Sequence, residues 1–312
     1  MVTTSPSATL DLSPRVRAAL ACPMCRTPLA GHPDGMACPA CGDRYGWVGR
    51  SLDLRPPRAV RAAVEFDVGG AAVPATTAVR PLSPRRDSRH DPDVIRWTSR
   101  ELHGARMTPA LFTHVPDLPP GGGMLVDLGA GSDVYRRLLR STGFDYVGID
   151  ADGDVDLLGD AHRLPLRDES VDCVVAISLL EHLRVPAVAL AEVARVLRPG
   201  GTLIGSVALT EPFHLDSFFH HTHLGVLTGL STAGMVADYV SPTTDWPASH
   251  ALGEMSLFPG LPRIAGRLAT TPAQLAGRLW WKVGRRIGRV RADEAERRIL
   301  FAAGFRFVAH RP

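Results

Sequence analysis

Four cysteines fall in two pairs, Cys22-Pro23-Met24-Cys25 and Cys38-Pro39-Ala40-Cys41, with twelve residues between the pairs. Two such knuckles offer four thiolates, the donor set and number that tetrahedral zinc takes. With every ligand position filled by cysteine, the metal would be structural rather than catalytic. The rival arrangement is a pair of disulfides, which a reducing compartment disfavours. A unit this small buries little core of its own, so the metal would supply much of its folding energy. The fifth cysteine, Cys173, sits in an apolar run and reads as core.

A second constellation begins at Val126-Asp127-Leu128-Gly129-Ala130-Gly131. An apolar strand runs into a glycine turn, with a carboxylate just before the first glycine. Another apolar run, Tyr146-Val147-Gly148-Ile149, ends in Asp150. Glycines let backbone approach a ligand closely, and a carboxylate about twenty residues further on is placed to take both hydroxyls of a ribose. The pairing predicts a nucleoside pocket. A dinucleotide fingerprint would need glycine at position 134, where this chain has Val134.

The motifs that follow are Gly159-Asp160-Ala161, then Val171 to Leu183 with Ser178 near its centre, then Arg198-Pro199-Gly200-Gly201. In this order and spacing, residues 121–241 resemble a class I S-adenosylmethionine-dependent methyltransferase of the small-molecule type. The resemblance implies that Gly129 and Gly131 lie under the methionine part of the cofactor. Asp150 would bind the ribose and Asp160 with Ala161 the adenine edge, while Asp127 would help hold the amino group. Ser178 falls at the same edge of the sheet. One position departs from the family's Gly-x-Gly-x-Gly, where Asp133 stands at the third glycine. Asp tolerates a left-handed backbone, but its charge would face the cofactor's carboxylate. The cysteine knuckles and their tail to Leu54 look like the zinc ribbon that precedes or partners some RNA and protein methyltransferases.

Methyl transfer is an in-line displacement in which orientation supplies much of the rate, and an oxygen, nitrogen or carbon acceptor that must lose a proton calls for a base. The segment after the fifth core strand is dense in candidates: Glu211, His214, Asp216, His220, His221 and His223. Histidine titrates near neutrality and serves as a general base; three or four with a carboxylate could also hold a metal. His214, Asp216, His220, His221 and, from the Glu181-His182 pair, His182 are therefore the candidate catalytic residues. His223 opens an amphipathic helix and would cap or pack there.

To place these groups the chain needs a parallel sheet covered on both faces. Near-continuous apolar strands are expected at 124–128, 145–149, 171–177 and 202–208, alternating with helices around Leu138-Leu139, from Leu179 and over 186–197. Asp156 to Leu158 reads as a short strand, Met235 to Val240 as the sixth, and Ile299 to Ala309 as a final antiparallel one. The fold class expected is α/β: a Rossmann-like, seven-stranded, doubly wound sheet with a small zinc ribbon in front and a helical insert before the last strand. Ligands bind such sheets beyond the carboxyl ends of the strands. The expected divisions are a ribbon over 1–55, an irregular linker over 56–92 and a methyltransferase domain over 93–312. A helix over 93–113 carrying Trp97 would precede the first core strand.

The insert, 242–298, contains Leu275, Leu279, Trp280, Val283, Ile287 and Val290 on one helical face and Arg278, Lys282, Arg285, Arg286 and Arg289 on the other. Such a helix suits a membrane surface or an acidic partner; the plainer reading packs the apolar face on the core and leaves the basic face in water.

The net charge of +3 hides an asymmetry: residues 121–241 carry 8 basic and 16 acidic side chains, and residues 242–298 carry 10 and 5. The acidic core would repel a phosphate backbone. Of the 35 basic residues only Lys282 is lysine, a coding bias that makes arginine abundance poor evidence for nucleic-acid binding. No apolar run is long enough to span a membrane and no secretory signal opens the sequence, so a cytoplasmic protein is expected. The leading expectation is methyl transfer from S-adenosylmethionine to a hydroxyl or amine of a small or lipid-linked metabolite, such as a sugar or secondary metabolite. The alternatives are an RNA methyltransferase gripping its substrate through the ribbon, and a non-catalytic binding protein whose pocket has degenerated at Asp133.

Overall fold

The computed structural model describes residues 12–62, 64, 79–90, 107–131, 135–214 and 216–312. Among them eleven strands form one sheet. The cysteine-bearing segment gives β1 (Ala30–His32), β2 (Gly35–Ala37), β3 (Arg44–Val48) and β4 (Ser51–Asp53). The rest gives β5 (Met124–Leu128), β6 (Asp145–Asp150), β7 (Leu157–Leu158), β8 (Val171–Ile177), β9 (Leu197–Ala208), β10 (Val236–Pro242) and β11 (Gly304–His310). The helices are α1 (Pro14–Ala19), α2 (Pro109–Phe112), α3 (Arg136–Arg140), α4 (Pro186–Val196), α5 (His223–Thr232), α6 (Ala248–Leu252), α7 (Arg263–Arg286) and α8 (Glu294–Leu300).

Sheet order is β1-β2-β3-β4-β7-β6-β5-β8-β9-β11-β10. β7, β6, β5, β8 and β9 are mutually parallel, and β11 lies antiparallel between β9 and β10. The order reverses direction at β5, which opens a crevice at the carboxyl ends of β5, β6 and β8. Alternate strand residues feed two cores. Val126, Val174, Leu203 and Phe307 pack with the apolar residues of α1, α4 and α5 on one face. Leu125, Cys173, Val175 and Ile204 pack with those of α2 and α3 on the other. Cys173 is thus core, as its apolar surroundings in the sequence suggested.

The cysteine-bearing segment is fused to this sheet rather than appended to it. Leu52 and Asp53 of β4 pair in parallel with Leu157 and Leu158 of β7. Backbone bonds run from Leu54 N–H to Leu158 O (2.8 Å), from Ala21 N–H to Pro165 O (3.0 Å) and from Arg167 N–H to Ala19 O (2.8 Å). Leu20, Cys22, Tyr45, Leu52 and Leu54 belong to the same apolar cluster as Val147 and Leu166. Its small unit therefore borrows a core from its neighbour. Ion pairs Arg15–Asp145 (2.9 Å) and Arg26–Glu192 (2.7 Å) tie the seam, the second reaching the buried Glu192.

Helix starts follow the local chemistry. Ser13 caps α1, which has Pro14 at its first position, and Thr222 caps α5 by accepting the Gly225 N–H. Asp293 and Glu296 form a reciprocal capping box that opens α8. That box explains one departure from expectation: the segment around Ile299 is helical, and the last strand begins only at Gly304. The helix expected from Leu179 is a single turn, Leu180–His182. The helix expected over 93–113 falls largely on 91–106, outside the described residues together with Trp97; α2 is its described end.

A larger departure concerns the insert. α7 turns its apolar stripe outward. Ile264, Leu268, Leu275, Leu279, Trp280, Val283 and Ile287 are all exposed, whereas Gly266, Thr270 and Gly284 are buried. Small residues let the helix sit close to the turn before it, where a side chain on Gly266 would collide with the Gly253 carbonyl. The close contacts of α7 are thus made by glycine and threonine, with the turn at Gly253 and with Val290 after the helix, and the apolar face that the plainer reading buried is in water.

Candidate functional site

The four knuckle thiols converge. Sγ of Cys22 lies 3.6 Å from that of Cys41, Sγ of Cys25 lies 3.4 Å from that of Cys38, and all four lie within 4.8 Å of one another. Tetrahedral zinc at about 2.3 Å from each sulfur demands sulfur–sulfur distances of about 3.8 Å, so the cluster fits the ion. All four cysteines are free thiols. Each knuckle folds on its own backbone: Arg26 N–H donates to Cys22 O (2.8 Å) and Gly42 N–H to Cys38 O (3.0 Å). The Tyr45 hydroxyl sits 3.2 Å from Cys22 Sγ, an outer contact of the kind that orients ligands.

At the crevice, Gly129 and Gly131 have φ of +78° and +55°, where a side chain is strained. A Cβ on Gly129 would also meet Leu179 Cδ1 at 2.9 Å. Asp150 closes β6 and holds the loop in shape, accepting the Gly131 N–H (2.8 Å) on one oxygen and the Asp152 N–H (3.3 Å) on the other. Each oxygen keeps a lone pair for a ligand. Asp127 is buried, with the Tyr146 hydroxyl donating to it at 3.1 Å. Ser178 takes a positive φ of 52°, its N–H donating to Ser206 O and Oγ at 3.1 Å; such backbone is uncommon outside glycine and gathers at functional sites. Asp133 lies outside the described residues.

Asp160 Oδ1 takes both the backbone N–H (2.9 Å) and Nδ1 (2.7 Å) of His162, while the Val185 N–H donates to the ring's Nε2 (3.2 Å). A ring accepting at Nε2 must carry its proton on Nδ1, so His162 donates to Asp160. That bond holds the Asp160 carboxyl below the usual range and leaves Oδ2 to receive an amino donor. Ala151, Gly159, Asp160, His162 and Arg163 line a cavity of about 330 Å³ whose opposite wall is Arg55 to Ala62, within the size of small-ligand sites. Arg55 reaches across it to donate to the Ala151 carbonyl (3.2 Å). The sequence does not announce this wall, most of which falls in the expected linker from Pro56 onward; its one signal is its position directly after β4.

The candidate bases separate. His182 and His214 meet edge to face with ring centroids 5.3 Å apart. Burial, and then the neighbouring His214, push the His182 pKa below the ordinary histidine value, while a bond to the Asp216 backbone opposes them. His214 Nδ1 sits 2.9 Å from Pro212 O. His220 is exposed. His221 turns inward, with its N–H on Ala208 O (2.8 Å), and burial lowers its pKa. His223 packs on Phe305 at 5.6 Å, and Glu211 is buried and accepts from Trp246 Nε1 at 3.1 Å. The structure thus brings His182, His214 and Asp216 together and sends His220 elsewhere. Phe213, Phe218 and Phe219, which the sequence reading passed over, are exposed on the same loop.

A larger cavity, about 840 Å³, opens at the far end of β10, lined by residues that include Pro81, Ser241, Asp245, Arg278, Phe301 and Arg306. Arg306 makes a two-pronged pair with Asp245 (2.7 and 2.9 Å).

The parallel run β7-β6-β5-β8-β9 with β11 inserted before β10, and a glycine loop answered by an acid at the end of β6, define the class I S-adenosylmethionine-dependent methyltransferase fold. Residues 126–205 match a family model described as a methyltransferase domain. Over 47 residues the chain is 57% identical to an uncharacterised protein of a Streptomyces fradiae transposon, covering 15% of this chain and 14% of that one. Over 98 residues it is 40% identical to an uncharacterised methyltransferase of Mycobacterium bovis, covering 28% of this chain and 40% of that one. The chain therefore spans well under two thirds of the length of these curated relatives. Among solved structures it is similar to a Streptomyces coelicolor geranyl diphosphate C-methyltransferase, at 14% identity and a TM-score of 0.44, over 75% of this chain and 92% of that one.

Proposed function

We propose that the protein transfers a methyl group from S-adenosylmethionine to a hydroxyl or amine of a small or lipid-linked metabolite. The observation that carries this reading is the clamp at the crevice, in which Asp150 orders the Gly129–Gly131 loop through its own carboxylate and keeps a lone pair on each oxygen for a ligand. The bound cofactor supplies an activated methyl group on a sulfonium, so the protein need only orient and deprotonate. Asp150 would bind the ribose hydroxyls, and Asp160 Oδ2 and Ala161 the adenine edge against the Arg55–Ala62 wall. His182, kept neutral by burial and by His214, would take the acceptor's proton as its lone pair forms the bond to carbon. The exposed phenylalanines Phe213, Phe218 and Phe219 suit an acceptor with an apolar part. Zinc, held by Cys22, Cys25, Cys38 and Cys41, would fix the ribbon against β7 and take no part in the transfer.

The test is transfer of labelled methyl from S-adenosylmethionine into fractionated extract. Label in the lipid or small-molecule fraction is expected. Label confined to RNA would replace this reading with RNA methylation through the ribbon, and cofactor binding with no transfer to any fraction would replace it with the non-catalytic one.

A further inference from the structure

Between Met255 and Arg291 the chain carries eight basic side chains, Arg263, Arg267, Arg278, Lys282, Arg285, Arg286, Arg289 and Arg291, and no acidic one. The same stretch holds the outward apolar stripe. Leu257, Leu261, Ile264, Leu268, Leu275, Leu279, Val283 and Ile287 recur mostly every third or fourth residue, and each is exposed. At 3.6 residues per turn, those within α7 cover an arc of about 100°. Ile264 is 72% exposed and Leu268 66%. An apolar stripe of this length is costly to leave in water, about 25 cal/mol for each Å², and a continuous exposed patch marks a contact surface.

We propose that α7 docks in the plane of an anionic lipid surface, with the stripe in the acyl boundary and the basic side chains at headgroup level. Charge decides among occupants. All eight titratable groups of the stretch are positive, and of the helix's basic residues only Arg267 has a carboxylate, Glu254, as a partner named among the described residues. A second copy of this chain would bring eight like charges against eight, which two helices side by side could not neutralise. RNA would satisfy the charges and leave most of the stripe in water, since base stacking needs aromatic platforms and Trp280 is the single ring on a face otherwise made of leucine, isoleucine and valine. An anionic bilayer answers both features. No described helix is long and apolar enough to cross a membrane, so the contact is peripheral. It stands apart from the cofactor crevice and does not depend on the methyl-transfer reading.

The experiment is co-sedimentation of the full chain with vesicles of phosphatidylcholine alone and of phosphatidylcholine with phosphatidylglycerol. Strong binding is expected only with the anionic lipid, weakening as salt shortens the screening length from about 10 Å at 0.1 M to about 3 Å at 1 M. Arg285→Gln/Arg286→Gln/Arg289→Gln should lower the partition roughly a hundredfold, about fivefold per charge. Leu275→Glu/Leu279→Glu, at positions that support no core, should abolish it while S-adenosylhomocysteine binding stays unchanged. Four results would overturn the proposal: no binding to either vesicle, equal binding to both, binding untouched by the Leu275/Leu279 variant, or self-association in light scattering that this variant dissolves. Tighter binding to bulk RNA than to vesicles, lost on Arg→Gln exchange but not on Leu→Glu exchange, would also overturn it.

Discussion

Replacing Asp150 tests the crevice most directly, because its two oxygens do two jobs. Inward, they hold the Gly131 N–H at 2.8 Å and the Asp152 N–H at 3.3 Å; in the proposed reading, their remaining lone pairs take the ribose hydroxyls. Asp150→Ala removes both. The inward loss is modest for stability. The side chain is half-buried and Gly131 is exposed, so water replaces the carboxylate at a net cost of about 1 kcal/mol, the usual worth of such a bond. The outward loss is larger for binding. Two hydrogen bonds to a charged acceptor contribute about 1.5–3 kcal/mol each, and together they predict a Kd for S-adenosylhomocysteine weakened about 10²–10⁴-fold. Asp150→Asn keeps one acceptor oxygen and loses the charge, and should fall between. Calorimetric titration reads the affinity and a thermal melt reads the fold. Unchanged affinity in the Ala variant, with the melting temperature also unchanged, would refute the ribose assignment and with it the cofactor site.

Three further outcomes are expected. Elemental analysis should find about one zinc per chain. Cys38→Ser should lose it and lower the melting temperature of the whole protein, since Leu20, Cys22 and Leu52 share the main core; a variant that keeps full zinc contradicts the cluster. His182 has a depressed pKa in the folded protein, so protonating it costs more than protonating a free imidazole, and it remains a neutral base below the ordinary value of about 6.5. Activity should therefore hold on acidification until the pH is below about 6.5 and then fall, a limb that His182→Asn should remove along with most of the rate; an acid limb above 6.5 in the parent protein would exclude His182 as the base. Gly205→Ala should destabilise the fold by about 1–3 kcal/mol through overpacking, because its Cβ would collide with Phe307 and sit 2.8 Å from the Ala176 carbonyl; a denaturation midpoint equal to that of the parent would show the register of β9 against β11 to be wrong.

The parallel core was legible because its signals are local. Near-continuous apolar strands of 5 and 7 residues at β5 and β8, each interrupted by one aspartate, end where glycine or serine turns begin, and both strands lie within the expected limits. The knuckle cysteines were legible for the same reason, since a metal's donor set is written in spacing. Two features were not. The wall from Arg55 to Ala62 depends on β4 joining β7, a contact about a hundred residues apart in sequence that no periodicity announces. The outward apolar face of α7 reversed the ordinary rule that such a stripe faces the core. The reason lies in its other side, where Gly266, Thr270 and Gly284 are too small to register in a hydrophobic pattern yet are the helix's buried residues. The His-rich loop was legible as a cluster but not as an arrangement. Only the return of the chain after β9, fixed by the Phe218 N–H on Glu181 O at 2.7 Å, selects His214 over His220 as the neighbour of His182.

The large cavity and the exposed stripe meet on one helix, and this bears on the acceptor. Gln274 and Arg278 line the cavity, while Leu275 and Leu279, each one residue further along, face out. A step of one residue turns about 100° around a helix, so the cavity wall and the apolar face are adjacent flanks of α7. A protein lying on a bilayer by that face would hold the cavity near the headgroups, where an acceptor with an apolar anchor and a polar head is concentrated. A water-soluble acceptor gains nothing from such an arrangement. The two cases separate in one assay: transfer to an acceptor presented in anionic vesicles should drop with Leu275→Glu/Leu279→Glu, while transfer to the same acceptor dispersed in detergent should not. Equal loss in both would place those leucines in the acceptor site itself rather than at the membrane.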